Sequence, residues 1–324
     1  MINNKIVITD CDHPSVQIER DILEQRGFTV VLEQCRTEED VIEKCRDAAG
    51  LINQYAPLTE KVFRELANCK VIVRYGVGVD NVDLEAASKY GIQVCNVPDY
   101  GVEEVSDHAL AMTLALVRKI NLLSNEVKRN NWDFQVAQPI RRLKDLTFGI
   151  VGLGRIGLAT ARKAIGMGWR VIGCDRNEVG PIDGVERVSF DELTAAADMI
   201  SIHVPLTEDT HHLFNRDVFR RMKNTAVLVN TARGPIVDEE ALLEALRNGE
   251  IAGAAIDVME SEPPVKDHPL FAFDNMIITP HAAWYSEESC RDLKRKAAEE
   301  AANVILGGSP RYPVNAVRRS GGAE

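Results

Sequence analysis

A glycine string at a single strand end restricts the possible folds of this 324-residue chain more than any other feature. Thr147-Phe148-Gly149-Ile150-Val151 is a short apolar run suited to a strand buried on both faces. It passes directly into Gly152-Leu153-Gly154-Arg155-Ile156-Gly157, and an amphipathic stretch continues to Ala164. Alone, a G-x-G-x-x-G string is weak, because glycine is common in turns. Between a strand and a helix each glycine has a task. The first makes the tight turn, the second lets the backbone approach a pyrophosphate, and the third allows close helix–strand packing. The helix N-terminus then favours the phosphate charge. Asp175 ends the next apolar run, 18 residues beyond Gly157. A carboxylate there accepts from ribose hydroxyls and repels a 2′-phosphate, which predicts NAD rather than NADP. The plainer alternative is a tight turn with a solvated aspartate, and Arg176 leaves NADP some room.

The rest of the chain supplies the sheets such a turn requires. Short apolar runs at Lys5–Thr9, Phe28–Leu32, Gly50–Asn53, Val71–Arg74 and Gln93–Val97 alternate with amphipathic stretches such as Val16–Gln25 and Glu38–Asp47, the latter opened by Thr37 as a candidate cap. Such alternation predicts a parallel sheet with helices on both faces. Val102 to Arg129 reads as one long helix. Further runs follow at Thr147–Val151, Arg170–Cys174, Met199–Val204, Ala226–Asn230, Ala254–Val258 and Met276–Thr279, enough for a six-stranded doubly wound sheet. A last helix spans roughly Ser286 to Leu306, and the tail Arg318–Glu324 is expected to fray. At about 150 residues per domain the length suggests two. Residues 101–285 are read as a nucleotide-binding domain; residues 1–100 with 286–324 form the other, so the chain crosses twice.

Composition excludes several classes. Apolar residues at 45% and charged residues at 27% suit a globular protein rather than a disordered one. The longest stretches without formal charge, Ala48–Thr59 and Asn275–Ser286, each have twelve residues and contain proline, too short for a membrane span. Met1-Ile2-Asn3-Asn4-Lys5 carries no signal-peptide core. A net charge of −11 argues against nucleic acid as a direct partner. Seven scattered cysteines without a Cys-x-x-Cys pair fit a reducing cytoplasm better than a disulfide framework or zinc site.

Three polar groups follow three successive strand ends of the second domain, where ligands of doubly wound sheets collect. Asn230-Thr231-Ala232-Arg233-Gly234 follows one run, Asp257-Val258-Met259-Glu260-Ser261-Glu262-Pro263 the next, and Thr279-Pro280-His281-Ala282-Ala283-Trp284 the last. An arginine, a carboxylate and a histidine suit hydride transfer to a 2-oxo acid. Arginine takes a carboxylate bidentately, histidine delivers a proton to the developing alkoxide, and a neighbouring carboxylate orients the imidazole and favours its charged form. Reduction is therefore expected to persist to higher pH than an isolated histidine would permit.

Residues 50–315 resemble the D-isomer-specific 2-hydroxyacid dehydrogenase family. The motifs that carry the likeness are Arg74-Tyr75-Gly76-Val77-Gly78-Val79-Asp80-Asn81-Val82-Asp83, Val151 to Gly157, Asn230 to Gly234, Gly253 to Glu262 and Thr279 to His281. The resemblance implies a Rossmann NAD-binding domain inserted in a flavodoxin-like substrate domain, with Arg233, Glu262 and His281 as the catalytic set. It also implies backbone amides around Val77 and Gly78 cradling the substrate carboxylate. Asp257 falls near the nicotinamide carboxamide, and His203-Val204-Pro205 lies against the adenosine. Thr231, Ala232, Arg233 and His281 join the cofactor-binding set with Gly152, Gly154, Arg155, Ile156, Gly157 and Asp175. It implies an active site in a cleft whose closure excludes water, and a homodimer through the NAD-binding domain. Glu260-Ser261-Glu262-Pro263 and His281-Ala282-Ala283-Trp284-Tyr285-Ser286-Glu287 resemble the C-terminal-binding-protein branch of transcriptional corepressors. In that branch the residues matching Trp284 and Arg74 line the substrate pocket, and a flat indole wall favours apolar or thioether side chains over phosphorylated ones. Val105 departs from that branch's Thr, and Asn131–Arg142 has its own composition. With the chain ending at residue 324, no regulatory domain after the last helix is expected.

The implied function is an NAD-dependent oxidoreductase interconverting a 2-oxo acid and a D-2-hydroxy acid. The alternative is an NAD-sensing dimeric protein-binding module, and a weaker one is a nicotinamide enzyme acting on phosphonate or formate. The intact Arg233/Glu262/His281 set favours the first. No metal is expected: His211 and His212 with Asp209 match no standard cluster and read as solvated surface. His13 and His108 read as ordinary structural residues and Cys174 as a small buried side chain. The charged run Glu287–Glu300 reads as the solvated face of a helix.

Overall fold

Short β-branched runs with few polar interruptions are buried on both faces, and that burial organises the chain into two parallel sheets. The computed structural model describes residues 4–177 and 180–317, so the tail expected to fray lies outside the described residues. Two compact units form. One comprises the described residues up to Tyr100 together with those from Ser286 onward; the other is Gly101–Tyr285.

In the first unit β1 (Lys5–Ile8), β2 (Thr29–Leu32), β3 (Gly50–Asn53), β4 (Val71–Arg74) and β5 (Gln93–Cys95) pair in the order β2-β1-β3-β4-β5, all parallel. That is the flavodoxin-like order. Thr37 caps the helix Glu38–Cys45 in a reciprocal capping box with Asp40. The helix Glu287–Ile305 packs on β3, β4 and the helix Gln17–Glu24. Its charged run is not wholly solvated: Lys294 and Glu300 are buried, Lys294 donating to the Ser15 carbonyl and Glu300 accepting from the Arg311 amide at 2.6 Å. A charged side chain whose head meets a backbone partner is able to face inward.

In the second unit β6 (Thr147–Val151), β7 (Arg170–Cys174), β8 (Val185–Arg187), β9 (Met199–Ile202), β10 (Val227–Asn230), β11 (Gly253–Ile256) and β12 (Met276–Ile278) pair in the order β12-β11-β10-β9-β6-β7-β8. This is the Rossmann order extended by one strand, so the expectation of two doubly wound parallel sheets holds. Two details are corrected. The sheet has seven strands among the described residues rather than six, because β8 has one buried residue and no apolar run to announce it. The long helix is broken: Val102–Val117 ends at Arg118, Lys119 turns left-handed (φ 53°), and Ile120–Lys128 follows. The first segment buries Val105, Ala109, Leu110, Met112 and Leu116, whereas the second buries none.

The reversal of strand order falls between β6 and β9. The glycine turn leaves β6 there, and the exits of β10, β11 and β12 lie on the same edge of the sheet.

Candidate active site

Of the three glycines, two are demanded by packing and one by nothing inside the chain. Gly152 sits at φ 95°, and a Cβ there would come within 2.5 Å of the His203 carbonyl. A Cβ on Gly157 would lie 1.9 Å from the Gly152 carbonyl oxygen. Gly154 has no neighbouring atom within 4 Å of its would-be Cβ, so this glycine borders open space. It is also the N-cap of the helix Arg155–Gly166, which has no side-chain cap for its first amides. An uncapped helix start beside an open backbone suits an anionic group. Arg155 and Ile156 form its first turn.

Asp175 leaves β7 with both oxygens occupied, Oδ2 accepting from the Leu153 amide at 2.7 Å and Oδ1 from the Asn177 amide at 2.8 Å. The carboxylate thus ties the exit of β7 to the glycine turn. Arg176 beside it pairs with Asp209. His203 Nε2 lies 2.9 Å from Ser201 Oγ, and burial pushes its imidazole down to about 3, so it is neutral at working pH. Val204 is half-buried and Pro205 exposed. Thr231 Oγ1 is buried and has no hydrogen-bond partner among the described residues, the position a bound polar group would satisfy.

Arg233 follows β10 in a loop shaped by Asn230, whose amide donates to the Arg233 carbonyl at 2.8 Å and whose oxygen accepts from the Ala232 amide at 3.0 Å. The guanidinium is half-buried, with Nη1 donating to the Ala232 carbonyl at 2.7 Å. His281 Nδ1 is 2.6 Å from Glu262 Oε2. Burial works to raise the Glu262 carboxyl, yet it lies below the usual carboxylate value because His281 bonds and attracts it, helped by the Met259 amide and the Arg233 charge. An ionised carboxylate only accepts, so Nδ1 carries a proton and Nε2 is left for chemistry. His281 itself is left-handed (φ 51°), a conformation few non-glycine residues adopt. Asp257, buried after β11, holds the surrounding loop: Oδ1 accepts from Thr279 Oγ1 at 2.5 Å and the Ala282 amide at 2.9 Å, and Oδ2 from the Ala283 amide at 2.8 Å. Trp284 stacks edge-on against Tyr285, ring centroids 5.6 Å apart.

Arg74, Val77 and Gly78 belong to the first unit. Arg74 ends β4, and the loop after it is fixed by Tyr75 Oη donating to the buried Glu19 at 2.6 Å and by Asn96 Nδ2 donating to the Val77 carbonyl at 2.7 Å. Glu19 and Asn96 had no sequence signal, since their partners lie 56 and 19 residues away. His211 and His212 stack on each other at 4.0 Å, with His212 Nε2 3.1 Å from Glu260; among the described residues no group of three or more His, Cys, Asp or Glu could hold a metal.

Residues 110–283 match the family model described as the NAD binding domain of D-isomer specific 2-hydroxyacid dehydrogenase. The chain is 40% identical over 308 residues to D-3-phosphoglycerate dehydrogenase of Methanocaldococcus jannaschii, covering 94% of this chain and 58% of that longer protein. It is 36% identical over 319 residues to glyoxylate reductase of Korarchaeum cryptofilum, covering 93% and 96%. Among solved structures, D-lactate dehydrogenase of Aquifex aeolicus, complexed with NAD and lactic acid, matches with a TM-score of 0.85 and 30% identity over 93% of this chain and 96% of that one.

Proposed function

As the chain belongs to the D-isomer-specific 2-hydroxyacid dehydrogenase family, we propose that it interconverts a 2-oxo acid and a D-2-hydroxy acid, with Arg233 binding substrate, His281 as acid and base, and Glu262 orienting it. The single observation that carries this reading is the His281–Glu262 hydrogen bond of 2.6 Å beside Arg233. NAD is the coenzyme. The open space at Gly154, the uncapped helix start and the partnerless Thr231 hydroxyl all suit a dinucleotide, with Gly152–Gly157, Asp175, His203–Pro205, Thr231, Ala232 and Asp257 as its holders. When bound, the nicotinamide supplies or accepts the hydride.

The protein's part is charge and proton. Arg233 presents a planar donor fork to the substrate carboxylate. In reduction His281 gives the proton on Nε2 to the carbonyl oxygen as charge develops there, and Glu262 stabilises the imidazolium beforehand. In oxidation the neutral ring takes that proton back, its Nδ1–H held by Glu262. In the first unit the substrate-binding set is Arg74 with the backbone at Val77 and Gly78, and in the second unit Trp284 supplies an apolar wall. The first unit is then the substrate domain and Gly101–Tyr285 the NAD-binding domain.

The exposed apolar side chains Ile120, Val127, Trp132, Phe134 and Val136 cluster in one segment of the second unit and support a homodimer formed through it. No helix among the described residues is long and apolar enough to cross a membrane. Seven free cysteines support a reducing compartment, the cytoplasm.

The test is a panel of 2-oxo acids (glyoxylate, hydroxypyruvate, pyruvate, branched and aromatic forms, phosphohydroxypyruvate) followed by NADH absorbance, with NADPH alongside. NADH-dependent turnover on at least one apolar or small member, and a preference over NADPH that narrows in Asp175→Ala, is expected. No turnover on any member, or equal efficiency with both coenzymes, contradicts the reading.

A further inference from the structure

His108 stands on the helix Val102–Val117 and has no part in the proton path, yet its ring meets the loop that carries His281. Its Nε2 lies 3.1 Å from Thr279 Oγ1 and 3.8 Å from Asp257 Oδ1. The Thr279 hydroxyl has one proton, and it points to Asp257 Oδ1 at 2.5 Å, an oxygen that also accepts from the Ala282 amide. The hydroxyl oxygen must therefore accept from His108, which fixes the proton on Nε2. The chain of donors is directional: His108 to Thr279, Thr279 to Asp257.

Asp257 is the hub of that loop. Its side chain is 1% exposed and gathers the Thr279 hydroxyl with the amides of Ala282 and Ala283, while its own carbonyl accepts the His281 amide at 2.8 Å. A left-handed histidine persists only where its surroundings hold it, and these bonds flank it on both sides. His108 approaches from a helix packed against β10 and β11, so the outermost donor of the network stands on a rigid element.

We propose that His108 is a positioning residue that acts on His281 through Thr279 and Asp257, fixing where the imidazole presents Nε2. This rests on the reading of His281 as the acid–base group. His108→Phe keeps a ring of similar size and removes the donor; His108→Gln keeps a donor. In His108→Phe, kcat for reduction is expected to fall about tenfold, the usual worth of an outer-shell partner, with KM for NADH and the melting midpoint at parental values. His108→Gln restores most of that loss. Thr279→Val alone gives a similar fall, and the double variant His108→Phe/Thr279→Val is no worse than either, because both break one path.

Parental kcat in His108→Phe overturns the proposal. So does equal loss in the Gln and Phe variants, or losses that multiply in the double. Amide hydrogen exchange over residues 279–285 gives a readout that needs no substrate: protection falls in His108→Phe if the network is as described, and unchanged protection refutes it. If His281→Ala turns over like the parent, the acid–base reading fails by itself, and the exchange measurement still decides the role of His108.

Discussion

At the level of single residues, the site rests on who can donate and who can only accept. Glu262 takes the Nδ1 proton of His281 and Asp257 takes three donors from the loop, so Nε2 of His281 is the atom left to react. His281→Ala removes that atom and should lower turnover in both directions about 10²-fold or more. Arg233→Lys keeps the charge and loses the planar fork, so kcat/KM should fall about tenfold or more, mostly through KM. Steady-state kinetics on one accepted substrate check both. The residue types of this set were legible because each follows a recognisable strand end. Their contact was legible only through the family resemblance, since Glu262 and His281 are 19 residues apart and it is the pairing of β11 with β12 that brings them together. His108 was still less visible, with a partner 171 residues away.

At the level of elements, the strand–turn–helix at 147–166 makes a prediction from its three glycines. Gly157→Ala puts a methyl onto the Gly152 carbonyl and should disturb folding as well as coenzyme binding. Gly154→Ala meets no atom of the chain, so its melting midpoint should match the parent within about 1 °C, under the shift a 1 kcal/mol loss gives at this size. Its methyl enters the space assigned to the pyrophosphate, however, so NADH should bind about tenfold or more weakly. Fluorescence titration with NADH checks this; a Gly154→Ala variant that binds like the parent would remove the phosphate cradle from the account. Strands buried on both faces, such as β6 and β7, had boundaries readable from apolar runs alone. The edge strand β8, with Glu186 and Arg187 exposed, did not. The break at Lys119 carries neither glycine nor proline, so composition ran straight through it.

For the whole molecule, the parallel α/β class was legible because alternation of apolar runs and helical stretches admits few other solutions. Assembly depends on what the surface leaves uncovered. Trp132 is 89% exposed and Phe134 73%, far beyond what an isolated soluble unit usually presents in one segment. A 35.9 kDa chain should therefore run as a particle of two in light scattering, and Trp132→Ser with Phe134→Ser should shift it toward one. A parent that is monomeric at micromolar concentration contradicts the dimer.

The acid–base dyad is the central claim, and paired pH–rate profiles of the parent and Glu262→Gln test it most directly. Below the usual carboxylate range Glu262 is still partly ionised, so across neutral pH the parent keeps a negative charge beside His281. That charge favours imidazolium, the form reduction needs. Glu262→Gln removes the charge with little change of shape. The reductive profile should then lose activity at lower pH than the parent, while the oxidative profile becomes active at lower pH. Both limbs staying where they are in the parent would contradict the assignment of Glu262 and His281 as a working pair.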